Sequence, residues 1–89
     1  MTKLIPLDRY PEDSESPPPG SVCDLGDGLL YCCPGCGEKS YLNTSDPQLP
    51  PYWARSGDLQ NLTLSPSIYH KHGCGWHGWL RNGEFVGCD

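Results

Sequence analysis

Two pairs of potential metal ligands constrain this chain more than any other feature. Cys33 and Cys36 are separated by a Pro-Gly dipeptide and followed by a further glycine. Such a CxxCG turn lets two thiolates coordinate one cation, and a tetrahedral zinc ion then needs two more ligands. Cys74 and His77 supply a second pair at the same interval. The spacing predicts one structural zinc site, whose four ligands are Cys33, Cys36, Cys74 and His77.

Two of these ligand positions have alternatives nearby. Cys32 is adjacent to Cys33 and could take its place. Cys88 could replace His77, because it returns on the last predicted strand of the same hairpin. Three thiolates and an imidazole form a closed site, whereas a catalytic zinc ion keeps an open position, so a structural zinc ion is predicted. Cys23 and Cys32 lie outside the preferred set and are expected to be reduced thiols.

The composition explains why a metal would be needed. The chain has 89 residues, of which 36% are hydrophobic, ten are proline and eleven are glycine. That is room for one small domain with a small core, and such domains usually rely on a metal or on disulfides. The N-terminal sequence has no apolar run typical of a signal peptide. We therefore expect metal-bound cysteines in a reducing compartment, in the bacterial cytoplasm or in a virion, rather than disulfides.

The charge argues against nucleic acid as a partner. Eleven acidic residues against six basic ones give a net charge of -5. Nucleic-acid binding needs clustered Lys and Arg, but Arg55, Lys71 and Arg81 are scattered, so it is not expected. No segment approaches the ~20 apolar residues of a membrane span. A protein is therefore the expected partner.

The chain divides into two parts by composition. Residues 1–21 are acidic and rich in proline, with few apolar side chains. Such a segment cannot bury enough surface to fold by itself. It is predicted to form an extended arm that contacts a protein partner, and residues 22–89 are predicted to form a zinc-binding β domain.

Short strands and turns are expected throughout that domain. One hairpin carries the CxxC turn at its tip, and another turns at Asn82-Gly83, the strongest short-range hairpin signal. No segment has a helical period. The predicted fold is small and mostly β, with zinc-ribbon-like hairpins that one zinc ion cross-links. Its expected strands are 28–31, 39–42, 52–55, 61–64, 78–81 and 84–86.

The segment Leu64-Ser65-Pro66-Ser67-Ile68 has two interpretations. A serine–proline–serine sequence between apolar residues usually ends a strand, with its hydroxyls capping backbone amides. Alternatively, Ser65 or Ser67 is a nucleophile, provided that an imidazole lies within hydrogen-bonding reach. The histidines available as a base are His70, His72 and His77. His70 and His72 are otherwise exposed loop histidines, or replacement metal ligands.

The chain resembles a family of small bacterial and phage proteins that are often mislabelled as ammonia monooxygenase. The resemblance covers roughly residues 29–88. Its most specific part is the TLSPSI segment at Thr63–Ile68 together with the cysteine turn at Cys32–Gly37, which we call the knuckle. The matching elements, in order, are the Cys32–Gly37 knuckle, Trp53, the Thr63–Ile68 segment, Cys74 with His77, and Arg81-Asn82-Gly83 followed by an aromatic strand.

The resemblance implies a possible activity. Some members look to be peptidases of bacterial ubiquitin-like conjugation operons that use a serine to trim the modifier's C-terminus. By that resemblance Ser65 or Ser67 would be the nucleophile and zinc would hold the site together. Asp58 or Glu84 could then orient the histidine base.

From the residues alone, a non-enzymatic role is favoured. We expect a zinc-binding protein–protein interaction module, phage-encoded or bacterial, that docks through residues 1–21 onto a virion protein or a host enzyme. The alternative is a peptidase that processes the C-terminus of a ubiquitin-like protein. In that case Ser65 or Ser67 is the nucleophile, and the base is His77, His72 or His70.

Overall fold

Short β-strands make up nearly all of the regular structure. The computed structural model describes residues 2–71 and 73–87. Within these ranges the only helical element is a 3₁₀ turn at Leu59–Asn61. The mostly β fold class is thereby confirmed. The strands are β1 (Thr2–Lys3), β2 (Ile5–Leu7), β3 (Ser21–Asp24), β4 (Gly28–Cys32), β5 (Lys39–Asn43), β6 (Ala54–Ser56), β7 (Thr63–Ser65), β8 (Ile68–Tyr69), β9 (His77–Arg81) and β10 (Glu84–Gly87).

The strands form two four-stranded sheets and one two-stranded ribbon. The first sheet has the order β1-β10-β9-β8, and the second has the order β2-β3-β4-β5. Neighbours are antiparallel except for β2 and β3, which are parallel. The β6–β7 ribbon packs against β9 through β7. Arg55 of β6 forms a two-pronged ion pair with Asp24 of β3, at 3.1 and 3.0 Å, which joins the ribbon to the second sheet.

Both predicted hairpins are present. β4 and β5 flank the CxxC turn, and β9 and β10 flank Asn82-Gly83. Asn82 and Gly83 have φ values of 50° and 79°, in the left-handed region that a tight two-residue hairpin turn requires. Local turn chemistry therefore fixes both connections.

Two predicted strands are displaced along the chain. The strands expected at 52–55 and 61–64 lie at Ala54–Ser56 and Thr63–Ser65. Asn61 belongs instead to the 3₁₀ turn, because the Asp58 side chain accepts a hydrogen bond from its backbone N–H at 3.1 Å. A local cap thus outweighs the alternating pattern at this position.

The start of the chain is paired with both sheets. β1 pairs with β10, and β2 pairs with β3. Between them Leu4 is buried, and its backbone N–H donates to the Gly83 carbonyl at 2.8 Å. Further along, the Lys39 ammonium donates to the backbone carbonyls of residues 12, 13 and 15. The division of the chain at residue 21 stays a prediction.

Apolar side chains from both sheets and from the ribbon form one core. Trp76 packs edge-on against Phe85, with ring centroids 6.0 Å apart, and Tyr31 stacks on Phe85 at 6.4 Å. No helix in the described part of the chain combines the length and apolar character needed to cross a bilayer. The core residues are Leu4, Val22, Leu29, Tyr31, Cys33, Leu42, Leu62, Leu64, Ile68, Leu80 and Phe85.

Candidate metal centre and serine–histidine pair

Three thiols and one imidazole converge beside the tip of the β4–β5 hairpin. We call Cys33, Cys36, His70 and Cys74 the metal cluster; their ligand atoms all lie within 4.8 Å of one another. The two sulfurs of Cys33 and Cys74 are 3.6 Å apart. His70 Nδ1 lies 3.6 Å from Cys36 Sγ and 3.8 Å from Cys74 Sγ.

These separations fit a tetrahedral zinc ion. Bonds of about 2.3 Å to sulfur and about 2.0–2.1 Å to nitrogen require ligand atoms roughly 3.6–3.8 Å apart. The donor set also matches that of closed structural zinc sites. The metal cluster could therefore hold zinc without a large rearrangement.

The CxxC turn is shaped by its backbone and by a glycine. Cys33 donates its N–H to the Glu38 carbonyl at 2.9 Å and accepts from the Gly37 N–H at 2.7 Å. The Gly35 N–H points at Cys33 Sγ, 3.4 Å away. A Cβ on Gly35 would lie 2.9 Å from Cys74 Sγ, so a side chain here would displace that ligand. The close approach of Cys74 thus explains why a glycine lies between the two cysteines of the turn.

A carboxylate orients the histidine of the cluster. His70 Nε2 lies 3.0 Å from Glu38 Oε1, so the nitrogen that faces away from the thiols has its own partner. Metal-binding histidines commonly donate their second N–H to a carboxylate, which fixes tautomer and ring orientation. Gly73 lies so close to the ring that an added Cβ would overlap the imidazole. His70 is 7% exposed and held on both sides.

The thiols differ in their readiness to ionise. Burial raises the pKa of Cys33 to about 11. A hydrogen bond from the Trp76 backbone lowers the pKa of Cys74 to about 7, with His70 acting in the same direction. A divalent cation would offset the cost of burying a thiolate at Cys33, because metal ligation requires the deprotonated form.

The fourth member of the cluster differs from the sequence prediction. His70 takes the position expected for His77, which instead hydrogen-bonds Ser67. The reason is strand alternation: Tyr69 pairs directly with His77, so the next residue, His70, points to the opposite face. Cys32, the alternate for Cys33, is buried on β4 outside the cluster. Cys88, the alternate for His77, lies outside the described residues.

A serine and a histidine meet on the other face of β8 and β9. Ser67 Oγ lies 2.9 Å from His77 Nε2. Ser67 is two residues before Tyr69, so it shares a face with Tyr69 and with the paired His77. The Ser67 carbonyl accepts a hydrogen bond from the Trp53 indole N–H at 3.2 Å. Ser67 is half-buried and His77 is exposed, so the hydroxyl is both held and accessible.

Other candidates lie elsewhere. Ser65 is on β7, paired with Ala54, and in the described part of the chain no imidazole hydrogen-bonds it. Asp58 caps the 3₁₀ turn. Glu84 pairs with Arg81 at the far end of the β9–β10 hairpin from His77. Neither carboxylate hydrogen-bonds His77. His72 lies outside the described residues.

An aromatic ring contacts the histidine instead. The Tyr69 and His77 rings have centroids 5.2 Å apart, tilted by 43°. Tyr69 and His77 are both exposed, so the two rings meet at the surface. The contact restrains the imidazole in addition to its hydrogen bond with Ser67.

The metal cluster and the serine–histidine pair share one connection. Ser67 immediately precedes β8, His77 begins β9, and the segment between them contains His70 and Cys74. His70 donates its backbone N–H to the Trp76 carbonyl at 2.8 Å, and Gly75 donates to the His70 carbonyl at 3.0 Å. Anchoring this connection through a metal would therefore fix the register that brings Ser67 to His77.

One site residue escaped the sequence prediction, and another was only an alternative there. His70 was named as a replacement metal ligand, and it lies four residues before Cys74. Glu38 directly follows the CxxCG turn, and an acidic residue at that position is the only local sign of its contact with His70.

The two histidines give a direct test of their separate roles. We expect His70→Ala to lose bound zinc, because it removes one of four ligands and unpairs Glu38. His77→Ala should keep the metal content of the unmodified protein, because His77 lies outside the cluster. The measurement is zinc per chain by elemental analysis after purification. If instead His77→Ala lost zinc and His70→Ala kept it, the zinc ligand would be His77 and not His70.

Comparison with known proteins supplies one match. A family model described as "Bacterial ubiquitination-like system serine protease (BubE)" matches residues 8–88. No curated protein and no solved structure matches the chain. The match confirms the resemblance to peptidases of bacterial ubiquitin-like operons and extends it toward the N-terminus. It favours the peptidase alternative over the interaction module, and gives no support to a phage origin or a virion location.

Proposed function

Since the chain belongs to the family of BubE, the serine proteases of bacterial ubiquitination-like systems, we propose that it is a serine peptidase. Ser67 is the nucleophile and His77 is the general base. The proposed substrate is the C-terminal region of a ubiquitin-like protein. The observation that carries this proposal is the 2.9 Å hydrogen bond between Ser67 Oγ and His77 Nε2.

This contact supports serine chemistry over a turn-capping role for Ser67. A hydroxyl is a weak nucleophile until an adjacent base accepts its proton, and 2.9 Å is within the range of such a pair. The backbone of Ser67 is held by Trp53, and the ring of His77 by Tyr69. Both reacting groups are therefore oriented before a substrate binds.

The proposed reaction has two steps. Ser67 Oγ attacks the scissile carbonyl carbon while its proton passes to His77 Nε2, and that proton then goes to the departing amine as the peptide bond breaks. The product is an ester of Ser67. A water molecule, deprotonated by His77, attacks the ester carbonyl, and the proton returns to Ser67 as the second product leaves. The free hydroxyl is regenerated.

The proposed role of zinc is structural. Cys33, Cys36, His70 and Cys74 would hold the ion, which supplies a cross-link and no reacting group. Its ligands come from the β4–β5 turn and from the β8–β9 connection. The ion would therefore tie the second sheet to the β8–β9 connection, with Ser67 just before β8 and His77 at the start of β9.

The interaction of residues 1–21 with a protein partner stays a prediction, as does a cytoplasmic location. Both are compatible with a peptidase, since an enzyme acting on a protein modifier also needs a surface to recognise it. The first strands β1 and β2 are part of the two sheets, so a partner would contact the remainder of the arm most readily.

Covalent labelling tests the proposed nucleophile without knowledge of the substrate. A small fluorophosphonate should add once to the zinc-loaded protein, and peptide mass spectrometry should find the adduct on Ser67. Ser67→Ala and His77→Ala should each lower the labelling rate by about 10³-fold or more, because either change removes a member of the pair. Labelling of Ser65, or equal labelling of Ser67→Ala, would contradict the proposal.

A further inference from the structure

A groove runs between the two sheets, and one of its lining residues, Trp53, hydrogen-bonds the backbone of Ser67. The groove has a volume of about 250 Å³ and is lined by consecutive residues of β5 on one side and by residues 68–71 on the other. β5 and β8 are edge strands of their sheets. The groove's apolar lining residues include Leu42, Ile68 and Trp53. The groove therefore has strand edges as its walls.

The groove is closed at one end by Trp53. The Trp53 backbone N–H donates to the Asn43 carbonyl at 2.9 Å, and its indole donates to the Ser67 carbonyl at 3.2 Å. One residue thus spans from the end of β5 to the start of β8. Glu38 and Lys71 lie among the lining residues at the other end, beside the metal cluster. Ser67 adjoins the closed end.

The outward backbone groups of β5 can be identified from hydrogen-bond alternation. The Asn43 carbonyl points away from β4, because Trp53 donates to it. The paired Gly28 carbonyl accepts from Leu25 and so also points away from β5. In an antiparallel ladder every second residue faces the same way. Tyr41 therefore directs its N–H and carbonyl to the free edge, whereas Ser40 and Leu42 face β4.

The same reasoning applies to β8. The His70 N–H donates to Trp76 and so faces β9, and the Ser67 carbonyl faces Trp53. Tyr69, between them, directs its N–H and carbonyl to the free edge. Among the described residues no side chain hydrogen-bonds the backbone of Tyr41 or Tyr69. Both edges of the groove thus offer backbone donors and acceptors.

We propose that this groove binds the substrate as an extended strand, inserted between β5 and β8 with backbone hydrogen bonds to Tyr41 and Tyr69. The inference rests on the proposed function. Unpaired strand edges are the usual template for adding an extended peptide. Since Ser67 adjoins both Trp53 and β8, a peptide held along β8 has its scissile carbonyl delivered to the serine–histidine pair.

This binding mode selects for backbone conformation more than for side-chain identity. The substrate class is an unstructured tail able to adopt an extended conformation, as opposed to a folded loop or a helix. Folded proteins lack such segments except at termini and long loops. Cleavage is thereby directed to chain ends, and a modifier's folded body would be left intact.

The proposal is tested by comparing two kinds of phosphonate probe, those that carry a peptide and a small one that carries none. Two probes carry the same reactive group on a tetra-alanine or an Ala-Leu-Ala-Leu peptide, each made with normal and with N-methylated amides. The rate of adduct formation on Ser67 is followed by intact mass. We expect the peptide to raise this rate at least about tenfold over the small phosphonate. N-methylation should abolish the gain, because it removes the backbone donors.

A matched pair of variants tests the β5 edge. Tyr41→Pro removes the outward N–H, which an edge strand tolerates, and Tyr41→Ala keeps it while removing the same ring. The peptide-to-small-probe rate ratio should fall toward one in Tyr41→Pro and be clearly higher in Tyr41→Ala, because both variants lack the ring and only the alanine variant keeps the N–H. Equal ratios in the two variants would contradict pairing with β5. Circular dichroism and zinc content verify that the variants fold. If Tyr41→Pro does not fold, the comparison of N-methylated and normal peptides on the unmodified protein still tests the proposal.

The outcomes separate this proposal from the peptidase itself. If the small phosphonate fails to label Ser67, the proposed function is wrong. If it labels Ser67 but neither peptide accelerates the reaction, or N-methylated peptides react equally fast, strand insertion in the groove is overturned and the peptidase stands.

Discussion

Replacement of Ser67 by alanine is expected to abolish peptide cleavage while leaving the fold intact. With a ubiquitin-like protein carrying a C-terminal extension as substrate, kcat should fall by about 10³-fold or more, because the nucleophile is lost. Ser67 Oγ has His77 as its only side-chain partner in the described part of the chain. Its removal should therefore change the free energy of unfolding by less than about 1 kcal/mol.

Ser65→Ala is the matched control for that experiment. Ser65 lies two residues away, on the same motif, and is exposed on β7 away from His77. We expect Ser65→Ala to cleave the substrate within about threefold of the unmodified protein. Intact mass spectrometry of the substrate over time measures both rates. Equal loss in the two variants would point to a damaged turn, and retained activity in Ser67→Ala would exclude Ser67 as nucleophile.

Removal of the metal is expected to unfold the domain. Structural zinc contributes about 10–16 kcal/mol in small zinc domains, which is as large as the whole stability of a typical domain at about 5–15 kcal/mol. The cluster joins the β4–β5 turn to the β8–β9 connection, and the hydrophobic core between them is small. A chelator should therefore eliminate the cooperative thermal transition seen by circular dichroism, and re-addition of zinc should restore it.

Two adjacent cysteines provide the control for metal removal. Cys33 and Cys32 are both fully buried, but only Cys33 belongs to the cluster. Cys33→Ala should lose zinc and the folded state, whereas Cys32→Ala should bind one zinc per chain with a modest loss of stability from the small cavity. An unchanged unfolding transition in the chelated protein would rule out a structural metal. If Cys32→Ala lost zinc and Cys33→Ala kept it, the zinc ligand would be Cys32 and not Cys33.

Much of the fold was predictable because its signals are local. The Asn82-Gly83 turn specifies a hairpin through the left-handed conformation of both residues, and the CxxCG turn does so through its small residues. β1 and β2 were missed for the opposite reason. Residues 2–7 pair with β10 and β3, which are distant in the sequence, and their acidic, proline-rich surroundings gave no sign of it.

The sequence predicted which types of residue form the site, but only partly which of them contact one another. The three cysteines of the cluster followed from spacing, because a CxxC turn brings two thiolates together on its own. The choice between His70 and His77 did not, since Cys74 has a histidine on either side within four residues. The same holds for Ser65 and Ser67. They are equivalent in sequence, but Ser65 ends β7 whereas Ser67 precedes β8 and meets His77.

The sequence by itself determined a small β domain with a cysteine turn and an Asn-Gly hairpin, and it left the serine motif open between a strand-ending turn and a nucleophile. Only the tertiary structure decided which histidine joins the thiols and which meets a serine. The physical reason is the register of β8 on β9. Tyr69 opposite His77 puts Ser67 and His77 on one face and His70 on the other, and a shift of one residue would exchange the faces.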